Sequence, residues 1–245
     1  MSLSFWDWYA ALGYDALNAV LPYQALQEQV YAAAAPTAGE RLLIAGCGTG
    51  NLEALAVQRI PDQQIDAVDY SAQMLTRARV KCGGHPTVRH LRCDLCAPLP
   101  YDAGTFDIVV MCNVLYALPA REAALREISR IVRPGGRFIL CDRPPGSDPR
   151  FVTQAHIAAL RALPAGAQVT GWLRTLGALP ALLAVMAINK KIQRFVGSGE
   201  YYFYPVTEIT DLLTSLGFAV QQVESAYAEQ CWLLHAIRSH TGGDC

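Results

Sequence analysis

The chain has 245 residues, 52% hydrophobic and 17% charged, enough apolar material for a sizeable core and too much for bulk disorder. This length suits one large α/β domain with an insertion better than two full domains. Twenty basic residues face 21 acidic ones, so no basic excess points to a nucleic-acid partner.

The segment Met1 to Tyr14 reads as no secretory leader. It lacks a basic region and carries Trp6, Asp7, Trp8 and Tyr9 where a smooth apolar stretch belongs. The eight cysteines are scattered, several in apolar runs (Cys112, Cys141, Cys231), and read as reduced thiols packed as small hydrophobes. Cys93 and Cys96 form a lone CxxC with no second ligand pair, so no metal is expected there.

Residues 1–40 read as one or two aromatic-rich amphipathic helices ended by Pro36 and Gly39. Strands and helices then alternate. The strands are Arg41–Ala45, Ile65–Val68, Thr87–Arg92, Phe106–Cys112 and Arg137–Cys141, the last after a Pro134-Gly135-Gly136 turn. Phe106–Cys112 is nearly continuous in apolar residues and is expected to be buried on both faces. The helices are Leu52–Arg59, Ala72–Lys81 with Ser71 as N-cap, and Arg121–Val132 with Glu122 and Arg126 spaced as an i,i+4 pair. Alternation of this kind implies a parallel sheet covered on both faces, with the ligand crevice at the carboxyl ends of the strands.

Residues 143–204 break the rhythm and read as a helical cap insertion. Within it Leu176–Ile188 is a thirteen-residue apolar stretch containing Pro180. At that length it is too short to span a bilayer and reads as a buried cap helix, with a peripheral membrane contact through residues 172–191 as the second reading, given the flanking Arg174, Lys190 and Lys191. Residues 205–238 complete the sheet: helix Val206–Leu216, strand Gly217–Val223 and strand Cys231–Ile237.

Leu42 to Asn51, LLIAGCGTGN, carries the chemistry. An apolar strand enters a turn with Gly46, Gly48 and Gly50, and a helix follows. Such glycines permit positive φ and let a ligand approach bare backbone. Asp69 follows Gly50 by nineteen residues, at the end of the second strand, where a carboxylate can accept from both ribose hydroxyls. A dinucleotide fingerprint wants G-x-G-x-x-G; here the spacing is G-x-G-x-G, and Asn51 holds the third-glycine position of that fingerprint.

With this loop, residues 41–142 resemble the core of the class I S-adenosyl-L-methionine-dependent methyltransferases, close to the small-molecule, quinone and lipid branch. Val68 to Leu75 (VDYSAQML) resembles the second motif; the resemblance gives Asp69 to the ribose and Tyr70 and Met74 to the adenine. Arg92-Cys93-Asp94-Leu95 resembles the adenine loop, and Thr105 to Leu115 the fourth strand, with Asn113 and Val114 near the methionine portion. Arg133 to Arg137 (RPGGR) resembles the turn before strand five. The cofactor set so implied is Gly46, Cys47, Gly48, Gly50, Asn51, Asp69, Tyr70, Met74, Cys93, Asp94, Leu95, Asn113 and Val114, with Tyr14 closing over it. The implied fold is a doubly wound, seven-stranded, mostly parallel sheet in the order 3-2-1-4-5-7-6, the last strand antiparallel, with a helical N-terminal segment and a helical cap.

After strand four this chain has Asn113-Val114-Leu115-Tyr116, not the Asn/Asp-Pro-Pro-aromatic of enzymes that methylate nucleobase or glutamine amino groups. A small, largely apolar acceptor is expected, bound by Tyr9, Tyr116, Tyr201 and Tyr202, with His156 as candidate base. Two other readings are a non-catalytic relative that binds the cofactor or a lipid, and a nicotinamide-dependent oxidoreductase; the glycine spacing fails the second. The expected location is the cytoplasm, free or at a membrane surface.

Overall fold

The computed structural model describes residues 13–194 and 201–240. A 3-10 helix, Tyr14–Ala19, leads into α1 (Leu21–Ala34). Then follow β1 (Arg41–Ala45), α2 (Asn51–Arg59), β2 (Gln64–Asp69), α3 (Ala72–Lys81), β3 (Val88–Arg92), β4 (Phe106–Cys112), α4 (Arg121–Ile131) and β5 (Val132–Asp142). The insertion holds α5 (Pro149–Ala162) and α6 (Ala165–Arg194); α7 (Val206–Ser215), β6 (Phe218–Ala226) and β7 (Cys231–Arg238) close the chain.

The seven strands form one sheet in the order β3-β2-β1-β4-β5-β7-β6. Pairing from β3 through β5 is parallel, and β7 runs antiparallel to both its neighbours. Successive residues of the central strands alternate between two cores, as pleating requires. Leu43, Val109 and Phe138 pack with α4 and α7, whereas Leu42, Ile108 and Ile139 pack with α1, α2 and α5. Phe106–Cys112 is buried on both faces, as its apolar run predicts. Ser71 caps α3 by accepting from the Met74 amide at 3.1 Å, and Glu122 pairs with Arg126 at 3.4 Å.

Two expectations need correction. Strand five begins at Val132, not after a separate turn. Its pairing with β4 jumps from Phe106↔Val132 to Ile108↔Arg137, so the intervening residues bulge out around Gly135, at φ 74°. The helix read as Leu176–Ile188 is the middle of α6, which has 30 residues and passes through Pro180. Proline there removes an amide donor and costs about 3 kcal/mol. Alanine- and leucine-rich flanks and the burial of Val185, Ile188 and Ile192 offset it.

At 1.5 Å per residue α6 is roughly 45 Å long, so the argument that it is too short for a bilayer falls. Among the described residues it is the one helix long and apolar enough to cross a membrane by length and composition. Nor is α6 a buried cap throughout. Val169, Leu173, Leu176, Leu179, Leu183 and Met186 are exposed at helical spacing along one side.

Candidate functional site

The cleft opens at the carboxyl ends of β1, β2, β4 and β5, where the strand order reverses between β1 and β4. Its floor is the glycine loop. The Gly46 and Cys47 amides both donate to the Val68 carbonyl, at 2.8 and 2.9 Å, which folds the loop over the end of β2. Gly46, Gly48 and Gly50 have φ of 76°, 58° and 86°. A Cβ on Gly46 would collide with the Val114 side chain, and one on Gly50 would stand 2.7 Å from the Ala78 backbone. Gly48 has only Tyr14 nearby, at 3.9 Å, so its bare backbone faces the cleft.

Asp69 closes this arrangement. Its Oδ2 accepts from the Gly48 amide and its Oδ1 from the Ser71 amide, each at 2.9 Å. Burial pushes its carboxyl above the usual range, against the pull of these bonds and ahead of repulsion from Glu53. Each oxygen keeps lone-pair capacity for a further donor, and Asp69 lines the cleft. Backbone, carboxylate and aromatic walls together fit a nucleoside.

The N-terminal segment is tied to the loop by charge. Lys81 donates to Asp15, Asn51 and Thr49, and Thr49 donates to Asp15 at 2.6 Å. Burial opposes ionisation of Asp15, but hydrogen bonds from Lys81 and Thr49 hold its carboxyl below the usual range. This clamp sets Tyr14 and Tyr23 edge to face over the cleft, ring centres 6.5 Å apart.

Most of the expected cofactor residues converge. Gly46, Cys47, Gly48, Asn51, Asp69, Tyr70 and Met74 line the cleft. So do Asp94, Leu95, Asn113, Val114 and Tyr14. Asn113 sits at φ 56°, which turns the chain at the end of β4. Gly50 stands behind the wall, pressed on α3. Cys93 also falls outside the wall; its amide donates to the Asp69 carbonyl at 3.1 Å and so spaces β3 from β2.

The expected acceptor residues fare unevenly. Tyr116 lines the cleft and is buried. Tyr201 does not reach the wall but stacks behind Tyr116, ring centres 6.1 Å apart. Tyr202 faces away and donates to Glu208 at 2.7 Å. Tyr9 lies outside the described residues. His156 is buried away from the cleft in α5, and both its ring nitrogens are engaged. Nδ1 accepts from the Leu21 amide at 3.1 Å, which leaves Nε2 to donate to Thr175, 3.0 Å away. Burial pulls its pKa down, so it is a neutral cap on α1 that also links α6.

Sequence reasoning missed Tyr23, Arg143 and Tyr227 in the wall. Arg143 follows β5, and its guanidinium lies 5.7 Å from the Tyr116 ring centre. Its neighbour Asp142 is buried and accepts from the Tyr116 amide at 2.9 Å and the Arg143 amide at 2.8 Å. Burial pushes the Asp142 carboxyl up to about 7. Position at a strand's carboxyl end was a usable signal for Arg143. Tyr227 had none, since the β6–β7 turn reaches the cleft only through the antiparallel return of β7.

Comparison with known proteins agrees with this geometry. Residues 43–140 match a family model described as a methyltransferase domain. The chain is 31% identical over 155 residues to a demethylmenaquinone methyltransferase of Thermus thermophilus, covering 62% of this chain and 70% of that one. It is 33% identical over 135 residues to the demethylmenaquinone methyltransferase of Symbiobacterium thermophilum, covering 53% of this chain and about half, 54%, of that one. In fold it is similar to the geranyl diphosphate C-methyltransferase of Streptomyces coelicolor, solved with Mg2+, geranyl diphosphate and S-adenosyl-L-homocysteine. That likeness has a TM-score of 0.60 at 14% identity and covers 88% of this chain and 79% of that one.

Proposed function

Since this chain belongs to the class I S-adenosylmethionine-dependent methyltransferases, in the branch of the demethylmenaquinone methyltransferases, we propose that its acceptor is a small, largely apolar molecule of the quinol class, met at a membrane surface in the cytoplasm. The observation that carries the acceptor class is the far wall of the cleft. There, among the described residues, Tyr14, Tyr23, Tyr116, Leu118, Pro119 and Tyr227 line the cleft with one cation, Arg143, beside the Tyr116 ring.

In this reading the Asp69 oxygens accept from the ribose and Asp94 accepts from the adenine amino group. Asp94 is pre-set for this, since its Oδ1 already accepts the Cys96 amide at 2.9 Å. S-adenosylmethionine supplies a methyl group already activated on a sulfonium. The chain's part is alignment and exclusion of water. Tyr14 and Tyr23, held by the Lys81–Asp15 clamp, close the cleft from above. With His156 remote, turnover rests on positioning, and Arg143 is placed to favour an acceptor oxygen in its anionic form.

The membrane reading rests on charge as well as apolar exposure. Residues 149–194 contain six of the chain's 20 basic residues and none of its 21 acidic ones. An exposed apolar stripe beside an acid-free basic segment suits an interface with anionic lipid.

Isothermal titration with S-adenosyl-L-homocysteine, NADH in parallel, tests the cofactor site. Micromolar binding of the former alone is expected, followed by methyl transfer to reduced quinones in a screen that also holds phenols and lipids. Turnover only on charged, water-soluble acceptors would overturn the acceptor class. Sedimentation with vesicles tests the membrane arm separately: binding to phosphatidylglycerol vesicles, lost in Lys190→Glu/Lys191→Glu, is expected. Equal recovery with and without vesicles would refute it and leave the acceptor result standing.

A further inference from the structure

A second group of reactive side chains lies outside the cleft wall and away from the Cys93–Cys96 pair. Glu53 is in the first turn of α2, Cys82 follows the last residue of α3, and His90 is in the middle of β3. One donor atom from each lies within 4.8 Å of the others. The Glu53 side chain is 0% exposed and that of His90 is 5% exposed, and His90 Nε2 stands 3.5 Å from Glu53 Oε1. Neither Glu53 oxygen has a nitrogen or oxygen donor, although the Cys47 thiol reaches the carboxyl, and His90 Nε2 has no acceptor.

A carboxylate buried without donors is costly, and native interiors seldom leave one so. The His90 ring reaches one Glu53 oxygen at 3.5 Å, which leaves the second oxygen and the Cys82 thiol to be satisfied. A divalent cation satisfies all three at once. We infer that Glu53, Cys82 and His90 form a binding site for a zinc-type divalent cation.

The donor chemistry fits. One sulfur, one imidazole nitrogen and one carboxylate oxygen form a set that a borderline-soft ion accepts, and three protein donors leave a fourth tetrahedral position for water. Tetrahedral bonds of about 2.0–2.3 Å set the donors roughly 3.3–3.8 Å apart, so the Glu53–His90 pair at 3.5 Å already has that spacing and Cys82 closes by at most roughly 1.3 Å. Zinc balances one carboxylate and one thiolate. Its binding releases the Cys82 proton, which burial otherwise retains. Gly83 and Gly84, which follow Cys82, are exposed, and a Cβ on either would meet nothing within 4 Å. Because α2 starts in the glycine loop, the ion ties that loop's helix to α3 and β3.

The test is metal content and cobalt spectroscopy on the full chain purified without chelator. About one zinc per chain is expected in the purified protein. Cobalt added after stripping should give the near-ultraviolet thiolate charge-transfer band. Cys82→Ser should abolish that band and His90→Phe should abolish stoichiometric metal, while both variants still bind S-adenosylhomocysteine, which shows that they fold. Metal-free wild-type protein that binds S-adenosylhomocysteine but takes up no cobalt would overturn the site and leave Glu53 and His90 as a buried ion pair. A cobalt band that persists in Cys82→Ser would overturn it equally.

Discussion

Lys81 Nζ stands 2.5 Å from Asp15 Oδ1, joining the last turn of α3 to the 3-10 helix that precedes α1. The same ammonium donates to Asn51 and Thr49 of the glycine-loop segment, so one side chain fixes the upper wall of the cleft to its floor. Partly buried, the pair is worth on the order of 1 kcal/mol, and Lys81→Ala is expected to weaken S-adenosylhomocysteine binding about fivefold by titration. The Asp15 pKa is lowered in the fold, so its stabilisation is present above the unfolded value of about 3.9 and is lost as pH falls through the folded value. The Asp15 contribution to melting temperature and affinity should therefore hold from neutral pH to about pH 5 and be lost below about pH 4, a loss that is shallower in Asp15→Asn.

Asp69→Ala removes the acceptor of the Gly48 and Ser71 amides along with the expected ribose contact. Loss of about 1.5–3 kcal/mol in S-adenosylhomocysteine binding is expected, with Asp69→Asn in between. Unchanged affinity in the alanine variant would take Asp69 out of the site.

The glycines of the loop are not equivalent. Gly50→Ala forces a Cβ to 2.7 Å from the Ala78 backbone at φ 86°, so α2 and α3 must part. A stability loss of about 2–3 kcal/mol is expected in chemical denaturation. Gly48→Ala meets open space and only the backbone strain of φ 58°, so about 1 kcal/mol is expected, with the larger effect on ligand binding.

His156→Ala strips the Leu21 amide of its acceptor and should cost about 1–3 kcal/mol of stability. Turnover per folded molecule should be unchanged, since the imidazole is outside the cleft. Its pKa is lowered by burial, so this contribution is complete above the unfolded value of about 6.5 and declines as pH falls below it. The variant's melting temperature should accordingly depend less on pH between about 5 and 7 than that of the wild type.

Much of the cofactor half was readable locally. Strands and helices around the loop fall within a residue or two of expectation because period, glycine turn and cap are written in adjacent residues: Ser71 caps Met74, and Asp69 ends β2. The acceptor half was not. Tyr201 and Tyr202 carry the expected chemistry, but the chain entering α7 turns one behind Tyr116 and the other toward Glu208. His156 looked free because nothing near it in sequence occupies it; its partners Leu21 and Thr175 lie 135 and 19 residues away.

By itself the sequence determined the strand–helix alternation, the glycine cradle and the acid that follows it, since each is written in adjacent residues, while the sheet order was implied by the resemblance to the class I methyltransferases and is set by pairings such as Leu42 with Ile108. The tertiary structure decided which aromatics face the acceptor and that Arg143 and Tyr227 join them. It also decided that α6 runs unbroken through Pro180, and that Glu53, Cys82 and His90 meet. Those outcomes depend on packing between elements far apart in the chain, where burial and partner geometry outweigh local preference.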